Sequence, residues 1–121
     1  MSSAELIREQ WFFEDPRGLT EWNTYGSRMD RLQEEVDETK VALDEESRMA
    51  FFMEIADVII FSHSILGAIC RELDIEPEAV DHLIMAKVHQ NQEKYPERLF
   101  INNSPEEAIR IAREEWKGAH E

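Results

Sequence analysis

Two carboxylates stand where an apolar core would gain from leucine. Between Met49 and Cys70 the formally charged residues are Glu54 and Asp57, in a run rich in Ala, Phe, Ile, Val and Leu. On a helix their three-residue spacing puts them about 60° apart on one face. A buried carboxylate must be paired, protonated or bound to metal, and that run holds no Lys or Arg to pair with either acid. Upstream, Glu35 and Glu38 repeat the spacing and flank Leu32 and Val36. If the two segments pack as antiparallel helices, four acids converge and repel one another unless divalent cations neutralise them. Hard oxygen ligands select Mg²⁺, with Mn²⁺ or Ca²⁺ as substitutes, over zinc. Taken alone, Glu35 and Glu38 stand beside Glu34 and Asp37 and fit a solvated surface better than a metal site. Glu54 and Asp57 turn the reading toward metal.

Further along, Lys87, Asn91 and Lys94 fall on neighbouring turns of one helix face, continuing the line of Val80 and Ile84. The lysines can hold phosphate oxygens, and Asn91 can bond a phosphate, a ribose or a water. An ordinary polar end of a surface helix would look the same. Near the N-terminus Trp11, Phe12, Phe13, Trp22 and Tyr25 offer aromatic faces to a base, Trp11 and Trp22 first. Core or interface packing is the competing use. A di-iron carboxylate bundle needs Glu-x-x-His on two helices. None of the four histidines has a Glu three residues before it. Cys70, in an apolar stretch without His or Asp arranged to activate it, reads as core packing.

These residues need helices to position them. The spacing predicts a first helix over Ser3–Glu14 and a long second one over about Leu19–Leu43, with Met29, Leu32, Val36 and Leu43 on one stripe. Asp44 to Ser47 is a polar break. A third helix, about Ser47–Leu73, is apolar nearly all round and so expected to be the buried central element. Pro77 opens a fourth that ends near Tyr95-Pro96, and Arg98 to Asn103 reads as a loop. Ser104-Pro105-Glu106-Glu107 then caps a terminal helix. With four Gly, four Pro and short connections, the fold class is all-α, an antiparallel helical bundle. Residues 1–121 form a single domain in which 104–121 are a C-terminal extension. The third helix has more apolar surface than its amphipathic neighbours can cover, so a homo-oligomer sharing its core is expected.

The balance of 13 basic against 27 acidic residues, a net of −14, disfavours nucleic acid and anionic membranes as partners. The longest charge-free apolar stretch, Val58 to Cys70, is too short to cross a bilayer, and Met1-Ser2-Ser3-Ala4-Glu5 does not read as a signal peptide. A cytoplasmic location is expected.

The order Glu35-Val36-Asp37-Glu38, fifteen residues, Glu54-Ile55-Ala56-Asp57 resembles the E-x-x-E…E-x-x-D signature of the MazG-like all-α nucleotide pyrophosphohydrolases. Lys87 to Pro96 is similar to that family's K-x-x-x-N-x-x-R/K-Y-P segment. The likeness spans roughly Leu6 to Phe100. It implies that Glu35, Glu38, Glu54 and Asp57 ligate Mg²⁺ and that Lys87, Asn91, Lys94 and Tyr95 line the phosphate and sugar side. It makes Glu34 a candidate to orient water, which with Glu35 and Glu38 gives the catalytic set. It also implies a four-helix-bundle core assembled as a homodimer or homotetramer. The pattern is nearest the dCTP-cleaving branch, although Phe61 stands where its members often carry Tyr, which leaves the base open. Phosphoribosyl-ATP pyrophosphohydrolases match less well, since Phe61 replaces their His.

The function so implied is Mg²⁺-dependent cleavage of a nucleoside triphosphate, a deoxynucleotide by preference, to monophosphate and pyrophosphate in nucleotide-pool house-cleaning. Two rivals keep the helices. A non-enzymatic acidic oligomer acting as an interaction module leaves the carboxylates wet. A divalent-cation buffer explains the acids but not Lys87 and Lys94.

Overall fold

The computed structural model describes residues 1–45 and 47–120; Glu46 of the expected polar break and Glu121 of the expected extension lie outside them. Among the described residues the chain is all-helical, without strands. Helix α1 (Ser3–Glu14) starts where Ser2 accepts the Glu5 N–H, and its end runs into a 3₁₀ turn, Asp15–Arg17. Gly18, at φ 71°, makes the left-handed turn into the short α2 (Leu19–Trp22). Helices α3 (Tyr25–Leu43) and α4 (Arg48–Leu73) follow, then α5 (Glu78–Lys94), α6 (Glu97–Asn102) and α7 (Pro105–His120).

Two boundaries differ from the sequence expectation. The long second helix is interrupted at Asn23-Thr24, because Thr24 and Ser27 cap each other's backbone N–H and start a new helix at Tyr25. The expected loop after Arg98 is helical instead, with α6 entered from Pro96 and closed by Asn103, whose side chain donates to the Leu99 carbonyl. The terminal helix begins as expected, Ser104 accepting the Glu107 N–H with Pro105 in the first turn.

The helices form two compact units, Met1–Asp81 and the chain from His82 onward. In the first, α3 packs along α4 as a hairpin and α1 packs on α4 as well. Ile7, Cys70 and Val80 form its buried centre, with Trp11, Leu66 and Ile75 around them. Gly67 lets α1 approach closely, since a Cβ there would meet Trp11 Nε1 at 2.7 Å. Asp81 receives the Ser3 and Ala4 N–H groups, fixing the start of α1. In the second unit α6 packs on α7, where Ala108 and Ala112 are buried.

The expected burial of α4 holds only in part. His63, Ser64, Gly67 and Cys70 are buried, yet Met49, Phe52, Met53, Ile55 and Ile59 are exposed. On the α3 stripe Leu32 and Val36 are half-buried, while Met29 and Leu43 are exposed. By length and composition α4 can cross a membrane, its 26 residues containing an 18-residue window of mean hydropathy 1.7. Only 11% of that window is buried, so much of its apolar surface is left uncovered by this chain.

Candidate metal centre

The hairpin brings the acids together. The chain reverses between Leu43 and Arg48, so residues similarly distant from the turn face each other across α3 and α4. One carboxylate oxygen from each of Glu35, Glu38 and Glu54 lies within 4.8 Å of the others. Glu35 is 5% exposed, Glu54 is half-buried and Glu38 is exposed, so the trio runs from the interior to the surface. Oε2 of Glu35 and Oε2 of Glu54 are buried without a hydrogen-bond partner. Buried acceptors left unpaired are costly. Burial pushes the Glu35 carboxyl above its usual 4.5, and the charge of Glu38, a hydrogen bond with Glu38 and the charge of Asp57 add to the effect; Arg31 opposes it. Asp57 thus bears on Glu35 electrostatically, although its oxygens lie outside the trio. Three carboxylates with two orphaned oxygens suit a hard divalent cation.

The other expected residues are distributed around the chain. Glu34 is exposed and points its Oε2 to within 3.4 Å of Arg31. Lys87 and Asn91 belong to the second unit and are exposed, with Lys87 donating to Gln90. There too Lys94 lies 5.5 Å from the centre of the Tyr95 ring, and Arg113 of α7 hydrogen-bonds Tyr95. That hydrogen bond, with the charges of Lys94 and Arg113, holds the phenol below its usual 10.0. Trp22 is 74% exposed. Trp11 is half-buried against α4 with the Arg71 guanidinium 4.3 Å over its ring, and its Nε1 is buried without a hydrogen-bond partner. One of its faces is therefore occupied.

Several polar residues of the first unit belong to no recognised motif. Arg28, Glu14 and Ser64 make a buried network in which Arg28 donates to Ser64 at 3.3 Å and to Glu14 at 3.4 Å, and Ser64 donates to Glu14 at 3.1 Å. Arg28 also donates to the Asn23 carbonyl, tying the break before α3 to the core. Arg31 lies 3.8 Å from Glu35 and 5.3 Å from the centre of the Phe61 ring. The signal in the sequence was spacing: Arg28 and Arg31 precede Glu35 by seven and four residues, on its own helix face. Compared with protein-family models, curated proteins and solved structures, the chain matches none.

Proposed function

We propose that the protein is a Mg²⁺-dependent nucleoside triphosphate pyrophosphohydrolase of the MazG-like kind, acting on a nucleotide in the cytoplasm. The observation that carries the reading is that Glu35 and Glu54, which each bring a carboxylate oxygen within 4.8 Å of one from Glu38, each also bury an unpartnered oxygen. An interaction module has no use for such groups, whereas a cation satisfies them. Glu35, Glu38 and Glu54, with Asp57 beside them, would hold Mg²⁺, which would supply positive charge against phosphate oxygens; Mn²⁺ is the natural substitute. Glu34, exposed at the rim, orients the attacking water. Water adds to the α-phosphorus in line with the leaving group, the bond to the α–β bridging oxygen breaks, and its electron pair departs with pyrophosphate. By the resemblance, Lys87 and Lys94 would offset the charge growing on that group, with Asn91 and Tyr95 on the phosphate and sugar side.

The exposed Met49, Phe52, Met53, Ile55 and Ile59 of α4 favour a homodimer or homotetramer in which a second copy covers them. That arrangement accounts for the apolar length of α4 without a membrane, since Glu54 and Asp57 interrupt its apolar surface.

Incubation with a panel of ribo- and deoxynucleoside triphosphates and Mg²⁺ tests the activity. The expected products are monophosphate and pyrophosphate, with label from ¹⁸O-water in the monophosphate. Orthophosphate and a diphosphate would refute the reading, as would no turnover of any triphosphate.

A further inference from the structure

We propose that Arg31 is a substrate-binding residue, its guanidinium gripping a phosphate that arrives with the cation; this deepens the pyrophosphohydrolase reading and rests on it. Arg31 stands at the edge of the acid trio with its Nε 3.8 Å from Glu35 Oε1 and an Nη 3.4 Å from Glu34 Oε2. The Nη donates a hydrogen bond to Glu34, but that bond and the approach to Glu35 are both longer than the roughly 2.7–2.9 Å usual for charge-assisted bonds, so the acids hold the guanidinium loosely. Its side chain is 58% exposed, and it lies over the Phe61 ring. A cavity lined by Arg31, Phe61, Phe13 and Leu19 opens beside it, and the Glu14 carboxylate that also reaches it is paired with Arg28, leaving the organic part of an anionic ligand a largely apolar wall. A fixed positive charge this near three carboxylates works against a divalent cation. It helps when the cation brings a polyanion, because a guanidinium fork matches phosphate oxygens.

The competing role is an ordinary surface pair along α3. Arg31 precedes Glu35 by four residues, which is the weaker orientation for such a pair. A helix pair would serve as well with lysine, and would leave anion binding untouched.

Calorimetric titration of the full chain separates these roles, first with Mg²⁺ alone and then with inorganic tripolyphosphate at saturating Mg²⁺. Arg31→Ala should bind Mg²⁺ as tightly as the parent or more tightly. It should bind tripolyphosphate about tenfold more weakly, the scale of one lost charged hydrogen bond. Arg31→Lys, which keeps charge but not the fork, should fall between. Unchanged tripolyphosphate affinity in Arg31→Ala, with Mg²⁺ binding intact, would overturn the assignment and leave the pyrophosphohydrolase reading standing. Equal losses for Mg²⁺ alone and for tripolyphosphate would make Arg31 a support of the acids and overturn it too. A parent chain that binds no Mg²⁺ would overturn the metal centre and Arg31's role together.

Discussion

Glu35 is buried beside Glu38 and Asp57, with one oxygen unpartnered, so its negative charge opposes folding unless a cation neutralises it. Its carboxyl is raised above 4.5 in the metal-free protein, meaning the folded state holds that proton more tightly than the unfolded chain does. The associated stability is fully present below 4.5 and is lost as pH rises through the folded-state value. Glu35→Gln stays neutral throughout. In EDTA, the variant should therefore gain stability over the parent as pH climbs from 4.5 toward neutrality, seen in denaturant midpoints across a pH series. Excess Mg²⁺ should narrow or reverse the gap, since the parent then gains a ligand it binds only when folded. A gap that does not vary with pH would show that Glu35 titrates as it does in the unfolded chain. The acids were legible in the sequence because charge inside an apolar helix is rare enough to require a reason. Arg31 was not, because an arginine among surface acids has an everyday explanation, and its closeness to Phe61 depends on how α3 and α4 pack.

At the level of elements, the contact of α1 with α4 hinges on one missing side chain. A methyl at Gly67 would lie 2.7 Å from Trp11 Nε1 and 3.3 Å from Ile7 Cγ2. Trp11 has little room to yield, since Arg71 covers its ring and Asp15 grips Arg71 at 2.8 Å and 2.9 Å. Gly67→Ala should then cost about 1–3 kcal/mol through overpacking, offset by up to ~1 kcal/mol of better helix propensity. Thermal unfolding should show a net loss, whereas Gly118→Ala, with nothing within 4 Å of its new methyl, should not. Helix ends with local signals were readable: Ser2, Ser47 and Ser104 each cap the helix that follows. The break at Thr24 carried the same signal, but the periodicity of the residues on either side masked it. The stretch Arg98 to Asn102 has no glycine or proline; it is helical against α7, and that packing lies beyond local sequence. The Glu14–Arg28–Ser64 network was equally hidden, because its members come from three helices and no pair is close in sequence.

For the whole molecule, a net charge of −14 on 121 residues invites any cation, so specific Mg²⁺ binding must be separated from diffuse screening. The two differ in what they need. Screening depends on ionic strength and on surface charge wherever it lies; bridging needs Glu35, Glu38 and Glu54 assembled by the α3–α4 hairpin. A cation bound only by the folded chain stabilises it by linkage, about 2.7 kcal/mol at 100 times its dissociation constant. Mg²⁺ should thus raise Tm by several degrees, well beyond the effect of Na⁺ at matched ionic strength. The variants locate the effect. Glu54→Gln removes one ligand charge from the trio and should abolish most of the Mg²⁺-specific part. It should also cut turnover by at least ~10³-fold, the scale expected when charge stabilisation at the reacting phosphate is lost. Glu106→Gln alters the net charge by the same amount in the first turn of α7 and should leave the Mg²⁺ response intact. Equal shifts with Na⁺ and Mg²⁺ in the parent, or equal losses in both variants, would assign the acidity to solubility alone. The chain would then be better described as an acidic helical scaffold, its carboxylates serving as surface rather than as ligands.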